Sequence, residues 1–186
     1  TASQYFHLLR RQVKRPWRKP LIVLTPKSML REAQSMSNLD DLSVGSFRRV
    51  LPDERLGVGS KPERILLGTG KIMLELLKLR DEQSRDDVAI IRLEQLYPIP
   101  HRELEAALER YPEGTPVFWV QEEPANMGAW QFIKVNFGES LYGRWPLKAI
   151  SRPESASPST GSKKMHKIEQ EEIWDRAMTV RETVVH

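Results

Sequence analysis

An α/β fold, with a mainly parallel sheet of about five strands and helices on both faces, is predicted by three features of the sequence. Short apolar runs alternate with amphipathic segments through the central part of the chain. The runs are apolar at successive positions rather than at every second one, and turns rich in Gly and Pro separate them. A strand that is apolar on both sides must be covered on both sides, which calls for helices above and below a parallel sheet.

Tyr5, Leu8, Leu9 and Val13 recur at helical spacing and predict a helix over about residues 3 to 14, with Arg10, Arg11 and Lys14 on its other side. Pro16 and Pro20 end it, and PLIVLTP then reads as a short buried strand over residues 21 to 25. A polar stretch closes with the loop formers DERLGVGSKP. Strand and helix patterns alternate from there: ERILLGTG, KIMLELLKLRDEQ, DVAIIRLE, PHRELEAALERY, PVFWVQEE, GAWQFIKVNFGESLY and finally the strand PLKAIS. In PHRELEAALERY, Leu104, Ala107, Leu108 and Tyr111 share one face. Residues 153 to 162 are a Ser/Pro-rich linker, and residues 163 to 186 supply a last helix, carrying Met165, Ile168, Trp174, Ala177 and Met178, expected to dock back on the body.

The 186 residues suffice for one core, and the absence of cysteine removes disulfides, thiolate zinc sites and a Cys nucleophile. Basic and acidic residues, 29 and 25, are interspersed and leave a net charge of only +4, so no nucleic-acid partner is expected. No apolar stretch reaches the roughly 20 residues a bilayer requires, and the polar start lacks a secretory core, so no membrane partner is expected either. The chain opens on Thr1 directly inside an amphipathic pattern, which reads as a piece of something larger.

Two segments offer themselves as anion sites. In LLGTGK, a strand ending in Gly68, Thr69 and Gly70 leads into a helix at Lys71, whose free N–H groups could face an anion. The motif completes neither glycine-rich phosphate signature, and a tight strand-to-helix turn is the favoured explanation, ahead of an anion site. In TPKSMLR, Lys27 and Ser28 follow the strand expected at 21 to 25, where helix capping competes with ligand binding.

The adjacent carboxylates Glu122 and Glu123 in VQEEPANMGAW invite an acid/base reading. Neighbouring strand residues point to opposite faces, however, so the two cannot converge on one substrate. Acceptance of hydrogen bonds from the N–H groups of the GAWQF helix suits them better, with Asn126 and Trp130 forming a subunit or domain contact. The histidines His7, His101, His166 and His186 have no metal spacing and read as surface or helix-end residues. Trp17, Trp119, Trp145 and Trp174 read as packing or interface residues.

Taken together and in this order, LLRRQ, PLIVLTPKSMLR, GTGK, DVAIIRLEQLYPIP, VQEEPANMGAW, RPESASPSTGS and KMHKIEQEEI resemble the C-terminal part of the 2-oxoglutarate dehydrogenase E1 component. The resemblance runs along nearly the whole chain. It implies a fold like the C-terminal domain of transketolase over residues 16 to 152, preceded at 1 to 15 by the last helix of a pyrimidine-binding domain.

In that family the intact enzyme uses thiamine diphosphate and Mg²⁺, bound by upstream domains, to decarboxylate 2-oxoglutarate and succinylate the lipoyl group of the E2 dihydrolipoyl succinyltransferase. The implied partners are those upstream domains, a second E1 subunit, E2 and E3. The implied compartment is the cytoplasm of a bacterium or the mitochondrial matrix of a eukaryote. No catalytic or metal residue is expected within these 186 residues, which alone should be inactive.

The resemblance assigns Gln121, Glu122, Glu123, Asn126 and Trp130 to a domain and subunit contact. Some family members bind acetyl-CoA or an adenine nucleotide such as AMP, for which Arg10, Arg11, Arg18 and Lys71 are the candidate cations. Two alternatives stand beside this reading: a free-standing α/β module binding such an effector, and a split product held folded by its partners. The choice between 2-oxoglutarate and 2-oxoadipate lies outside these segments.

Overall fold

The structure, a computed structural model, describes residues 1–180, apart from the side chains of Leu30 and Arg31. The end of the expected C-terminal tail, including His186, lies outside the described residues. The chain divides into two compact units, Thr1–Arg49 and Val50–His186.

The first unit holds helix α1 (Ala2–Lys14), two short 3-10 turns (Lys27–Arg31 and Ala33–Ser35) and the single-turn helix α2 (Asp40–Ser43). Helix α1 forms where its periodicity predicted, but its polar side faces the unit. Gln4 and His7 are buried; Gln4 Nε2 donates to the Arg48 carbonyl at 2.7 Å and its Oε1 accepts from Arg48 N at 3.0 Å, as a backbone strand would. Within its own unit the apolar stripe points outward, with Tyr5 46%, Leu9 42% and Val13 75% exposed.

The strand expected at residues 21 to 25 does not form. Ile22 is 82% and Leu24 92% exposed on irregular backbone. Pro20 and Pro26 remove ladder donors at both ends, and no described residue of this unit lies in a strand to pair with it.

The second unit carries a six-stranded sheet in the order β1-β3-β2-β4-β6-β5. The strands are β1 (Val50–Leu51), β2 (Arg64–Gly68), β3 (Val88–Leu93), β4 (Val117–Pro124), β5 (Ser140–Leu141) and β6 (Trp145–Arg152). The four long strands run parallel, and the two-residue strands β1 and β5 close the edges in antiparallel register. The α/β expectation therefore holds, with six strands in place of about five.

Helices α3 (Lys71–Glu82), α4 (His101–Leu108), α5 (Trp130–Phe137) and α6 (Lys163–Met178) complete the unit. The GAWQF helix is shorter than its pattern implied: Gly138, at φ 68°, stops it, and the rest of that segment turns into β5.

Consecutive strand residues divide between two cores. Ile65, Leu67, Val117, Trp119 and Leu147 pack with Leu104, Leu108 and Ile133 of α4 and α5. Leu66, Phe118, Val120 and Ile150 pack with Ile72, Met73 and Leu76 of α3 and with Ile173, Ala177 and Met178 of α6. This division is why the strands are apolar without interruption. Trp119 and Trp145 are fully buried core residues.

One buried charge pair ties the edge of the sheet to its helix. Strand β1 covers only Arg92 and Leu93 of β3, and beyond it Asp53 Oδ2 accepts from Ile90 N at 2.6 Å and from Arg80 of α3. Asp53 Oδ1 accepts from the backbone N–H groups of Arg55 and Leu56 at 2.8 and 3.1 Å.

Tyr111 closes the same corner, with its buried hydroxyl donating to the Leu56 carbonyl at 3.0 Å. Burial first, and then the charge of Asp53, pushes the Tyr111 pKa up to about 12. A pKa raised by folding contributes stability that is complete below the unfolded-state value of ~10 and is lost as pH rises toward about 12. Tyr111→Phe should therefore flatten the decline in unfolding free energy across that alkaline window; an unchanged slope in urea titrations would contradict the assignment.

Candidate functional site

The chain leaves β2 for β3 on one side and reaches β4 on the other, so the carboxyl ends of β2 and β4 flank the point where the sheet order reverses. Ligands of open α/β sheets collect at such points. The sequence places GTGK at the end of β2 and QEEP at the end of β4.

Gly68 ends β2 because nothing larger fits. An added Cβ would stand 2.6 Å from both Met73 Sδ and the Val120 carbonyl oxygen, and the backbone oxygen of a central strand cannot yield as the methionine can. Gly70 then begins α3, which has no acidic residue in its first turn and no side-chain cap.

Lys71, the candidate cation here, is already matched. Its Nζ lies 2.7 Å from Glu75 Oε1, one helical turn on, and 3.1 Å from Glu122 Oε1 at the end of β4. Burial pulls the Lys71 ammonium down, but the hydrogen bond to Glu75 and the charge of Glu122 outweigh it and raise its pKa. The second oxygen of Glu75 accepts from Gln170 Nε2 at 2.9 Å and Trp174 Nε1 at 3.3 Å, both on α6. An incoming anion would meet two carboxylates around one ammonium.

The QEEP residues separate by strand parity. Glu122 shares the α3 face with Phe118 and Val120, while Gln121 shares the opposite face with Trp119. Gln121 is 3% exposed, and its Oε1 accepts from Trp119 Nε1 at 3.0 Å and from Trp130 N, at the start of α5, at 2.9 Å. Its Nε2 donates to the carbonyls of Glu123, Pro124 and Met127 at 3.2, 3.0 and 2.8 Å.

The expectation that Glu122 or Glu123 would receive the α5 N–H is thus corrected. The neutral amide takes that role because the loop carbonyls around it require a donor, which a carboxylate cannot supply. Gly128, at φ 67°, permits this, since a Cβ there would approach Gln121 Oε1 to 2.9 Å.

Glu123 and Asn126 are exposed, and Trp130 is half-buried beside the core of α4 and α5. Asn126 also holds the Ser/Pro segment: its Nδ2 donates to the Ser155 carbonyl at 2.9 Å and its Oδ1 accepts from Ser155 N at 3.1 Å.

The other candidate cations lie in the first unit. Arg10 donates to the Gly45 carbonyl at 2.9 Å, Arg11 stacks 4.2 Å from the centre of the Phe47 ring, and Arg18 donates to the Arg15 carbonyl at 3.1 Å. Lys27 and Ser28 occupy a 3-10 turn with no strand before it, so their strand-end placement falls with that strand. His7 is buried rather than superficial, with its Nε2 2.7 Å from the Asp41 carbonyl.

Sequence reasoning missed Glu75, Gln170 and Arg152, which connect α3, β6 and α6 around Lys71. The four-residue spacing of Lys71 and Glu75 was the one local signal available.

Among the described residues no group of three or more His, Asp or Glu side chains converges on a metal position. With the Lys71 ammonium already paired to Glu75 and Glu122, this donor set does not fit a Mg²⁺ diphosphate. Among the described residues no helix is long and apolar enough to cross a membrane.

Comparison with known proteins agrees with the motif reading. A family described as 2-oxoglutarate dehydrogenase C-terminal matches residues 36–178. The chain is 42% identical over 177 residues to the 2-oxoglutarate dehydrogenase E1 component of Cupriavidus necator, covering 95% of this chain and 19% of that protein. It is 48% identical over 182 residues to the multifunctional 2-oxoglutarate metabolism enzyme of Mycolicibacterium vanbaalenii, covering 95% of this chain and 15% of that one. The chain therefore spans less than a fifth of the length of these relatives.

Among solved structures, a transketolase from Pichia stipitis matches with a TM-score of 0.41 and 16% identity over 72% of this chain and 18% of its own. On the family match and the two relatives, the chain belongs to the 2-oxoglutarate dehydrogenase C-terminal family.

Proposed function

We propose that the chain serves as the C-terminal part of a 2-oxoglutarate dehydrogenase E1 component, providing domain and subunit contacts while thiamine diphosphate and Mg²⁺ act in other domains. In the whole enzyme 2-oxoglutarate is decarboxylated and the succinyl group passes to the lipoyl group of E2, with E3 completing the complex. The observation that carries this reading is identity of 42–48% sustained along 95% of the chain.

The chemistry of the switch point supports a contact role over a catalytic one. Gln121 and Asn126 are engaged within their own chain, Lys71 is held by Glu75 and Glu122, and Glu123 with the exposed part of Trp130 remains for contact with another surface. The outward apolar stripe of α1, through Tyr5, Leu9 and Val13, also suits a chain that adheres to further domains.

The effector-binding module is not favoured, because Lys71, the candidate cation at the switch point, is already matched by Glu75 and Glu122. In a bacterial source this function belongs in the cytoplasm, and in a eukaryotic one in the mitochondrial matrix.

Size-exclusion chromatography with light scattering tests the proposal. Mixed with the thiamine-binding domains of such an E1, the 186-residue chain should move into one larger species containing both. Elution of the two components unchanged would reject it.

A further inference from the structure

Helix α6 is held in two different ways along its length. Its C-terminal part places Ile173, Ala177 and Met178 in the core beside α3. Arg64 Nη1 caps that end by donating to the carbonyls of Arg176 and Ala177 at 2.8 and 3.2 Å, and Arg176 Nη1 donates to the Ser151 carbonyl at 2.8 Å. These ties combine buried apolar area with satisfied helix-end carbonyls.

The N-terminal part has neither. Every residue from Lys163 to Ile168 is exposed, and the first turn contains no acid. Lys163, Lys164 and Lys167 put positive charge at the positive end of the helix dipole, which disfavours this turn. Its cap is Ser162 Oγ, which accepts from Met165 N at 3.4 Å.

Contacts from this part to the sheet converge on one guanidinium. Arg152, 7% exposed at the end of β6, donates to His166 Nδ1 at 2.9 Å and to Gln170 Oε1 at 3.4 Å, and its Nε lies 3.2 Å from Glu169 Oε2. Upstream, the Ser/Pro segment is fastened through the Asn126–Ser155 pair.

We infer that Lys163–Glu169, with the Ser/Pro strap before it, is a charge-held flap that opens on the fixed part of α6, hinging near Gln170. Opening uncovers the buried Arg152 guanidinium and loosens Gln170 from Glu75 at the carboxyl ends of the parallel strands. A flap held by an ion pair and a helix end held by apolar packing differ in what releases them: loss of the carboxylate charge loosens the first and leaves the second intact.

Amide hydrogen exchange on the whole 186-residue chain, read residue by residue, separates the two parts. Amides of Lys167–Gln170 should exchange at least about tenfold faster than those of Trp174–Met178, as expected for a sub-global opening below the global one. Glu169→Gln should speed the first group by about another tenfold, the loss of one partly buried ion pair, and leave the second unchanged. The comparison of the two parts within the unaltered protein stands even if the variant folds poorly. Exchange of α6 as one unit, or equal acceleration of both parts by Glu169→Gln, would overturn the inference.

Discussion

Gln121→Leu is expected to destabilise the second unit by about 3–4 kcal/mol, because a buried unsatisfied polar group costs about 1–3 kcal/mol and several are left at once. The leucine fills similar space but leaves Trp119 Nε1–H and the Trp130 N–H without their acceptor, and the carbonyls of Glu123, Pro124 and Met127 without their donor. The loop from Glu122 to Ala129 closes over this amide, which binds three of its carbonyls at once. Gln121→Glu should fail almost as badly, since it restores an acceptor but presents a negative charge to three carbonyls.

Urea unfolding of the two variants beside Glu123→Gln measures this. The exposed Glu123 substitution should stay within about 0.5 kcal/mol of the parent. A loss below about 1 kcal/mol for Gln121→Leu would show that the loop holds its shape without the amide.

Asp53→Ala should be costlier, about 3–5 kcal/mol, as is typical when one partner of a buried ion pair is removed. The side chains of Asp53 and Arg80 are 0% and 3% exposed, so the alanine strands a guanidinium in the interior. It also leaves the N–H groups of Arg55, Leu56 and Ile90 without the carboxylate that receives them. Arg80 would keep only the Val88 carbonyl at 3.3 Å and the exposed Asp81 carboxylate at 3.9 Å, neither of which replaces a buried carboxylate.

The double variant Asp53→Leu/Arg80→Met removes both charges and should recover much of that loss. If Asp53→Ala and the double variant are equally unstable, the cost lies in the backbone hydrogen bonds rather than in the stranded charge.

How much of this was legible in the sequence follows from the range of each interaction. Strands β2, β3 and β4 were visible because both of their faces are buried along most of their length, so their apolar runs are nearly unbroken, whereas β6 alternates with exposed Pro146 and Lys148 and shows only as the short run PLKAIS. Strands β1 and β5, two residues each, are too short to carry a pattern. The run at 21 to 25 is as apolar as β3, and what distinguishes it is the proline at each end and the absence, among the described residues of its unit, of a strand to pair with.

The candidate site divides in the same way. The divergence of Glu122 and Glu123 followed from strand parity. The pairing of Lys71 with Glu122 did not, because it joins the starts and ends of elements distant in the chain. Nor could the residues reveal that Gln121, rather than a carboxylate, would receive the α5 N–H, since this depends on the loop folding back over its own strand. The polar ties of α6 to Arg152 and Glu75 were hidden for the same reason, and its expected anchors Met165 and Ile168 are 46% and 38% exposed.

Thiamine-dependent decarboxylation of 2-oxoglutarate by the mixture of this chain with the thiamine-binding domains tests most directly whether it lends contacts rather than chemistry. The chain alone should show no turnover, the mixture should turn over, and Glu122→Gln/Glu123→Gln in the mixture should keep kcat within about threefold of the parent. Turnover by the chain alone, or loss of kcat by several orders of magnitude in a double variant that still assembles, would place catalytic groups in this segment and contradict the account.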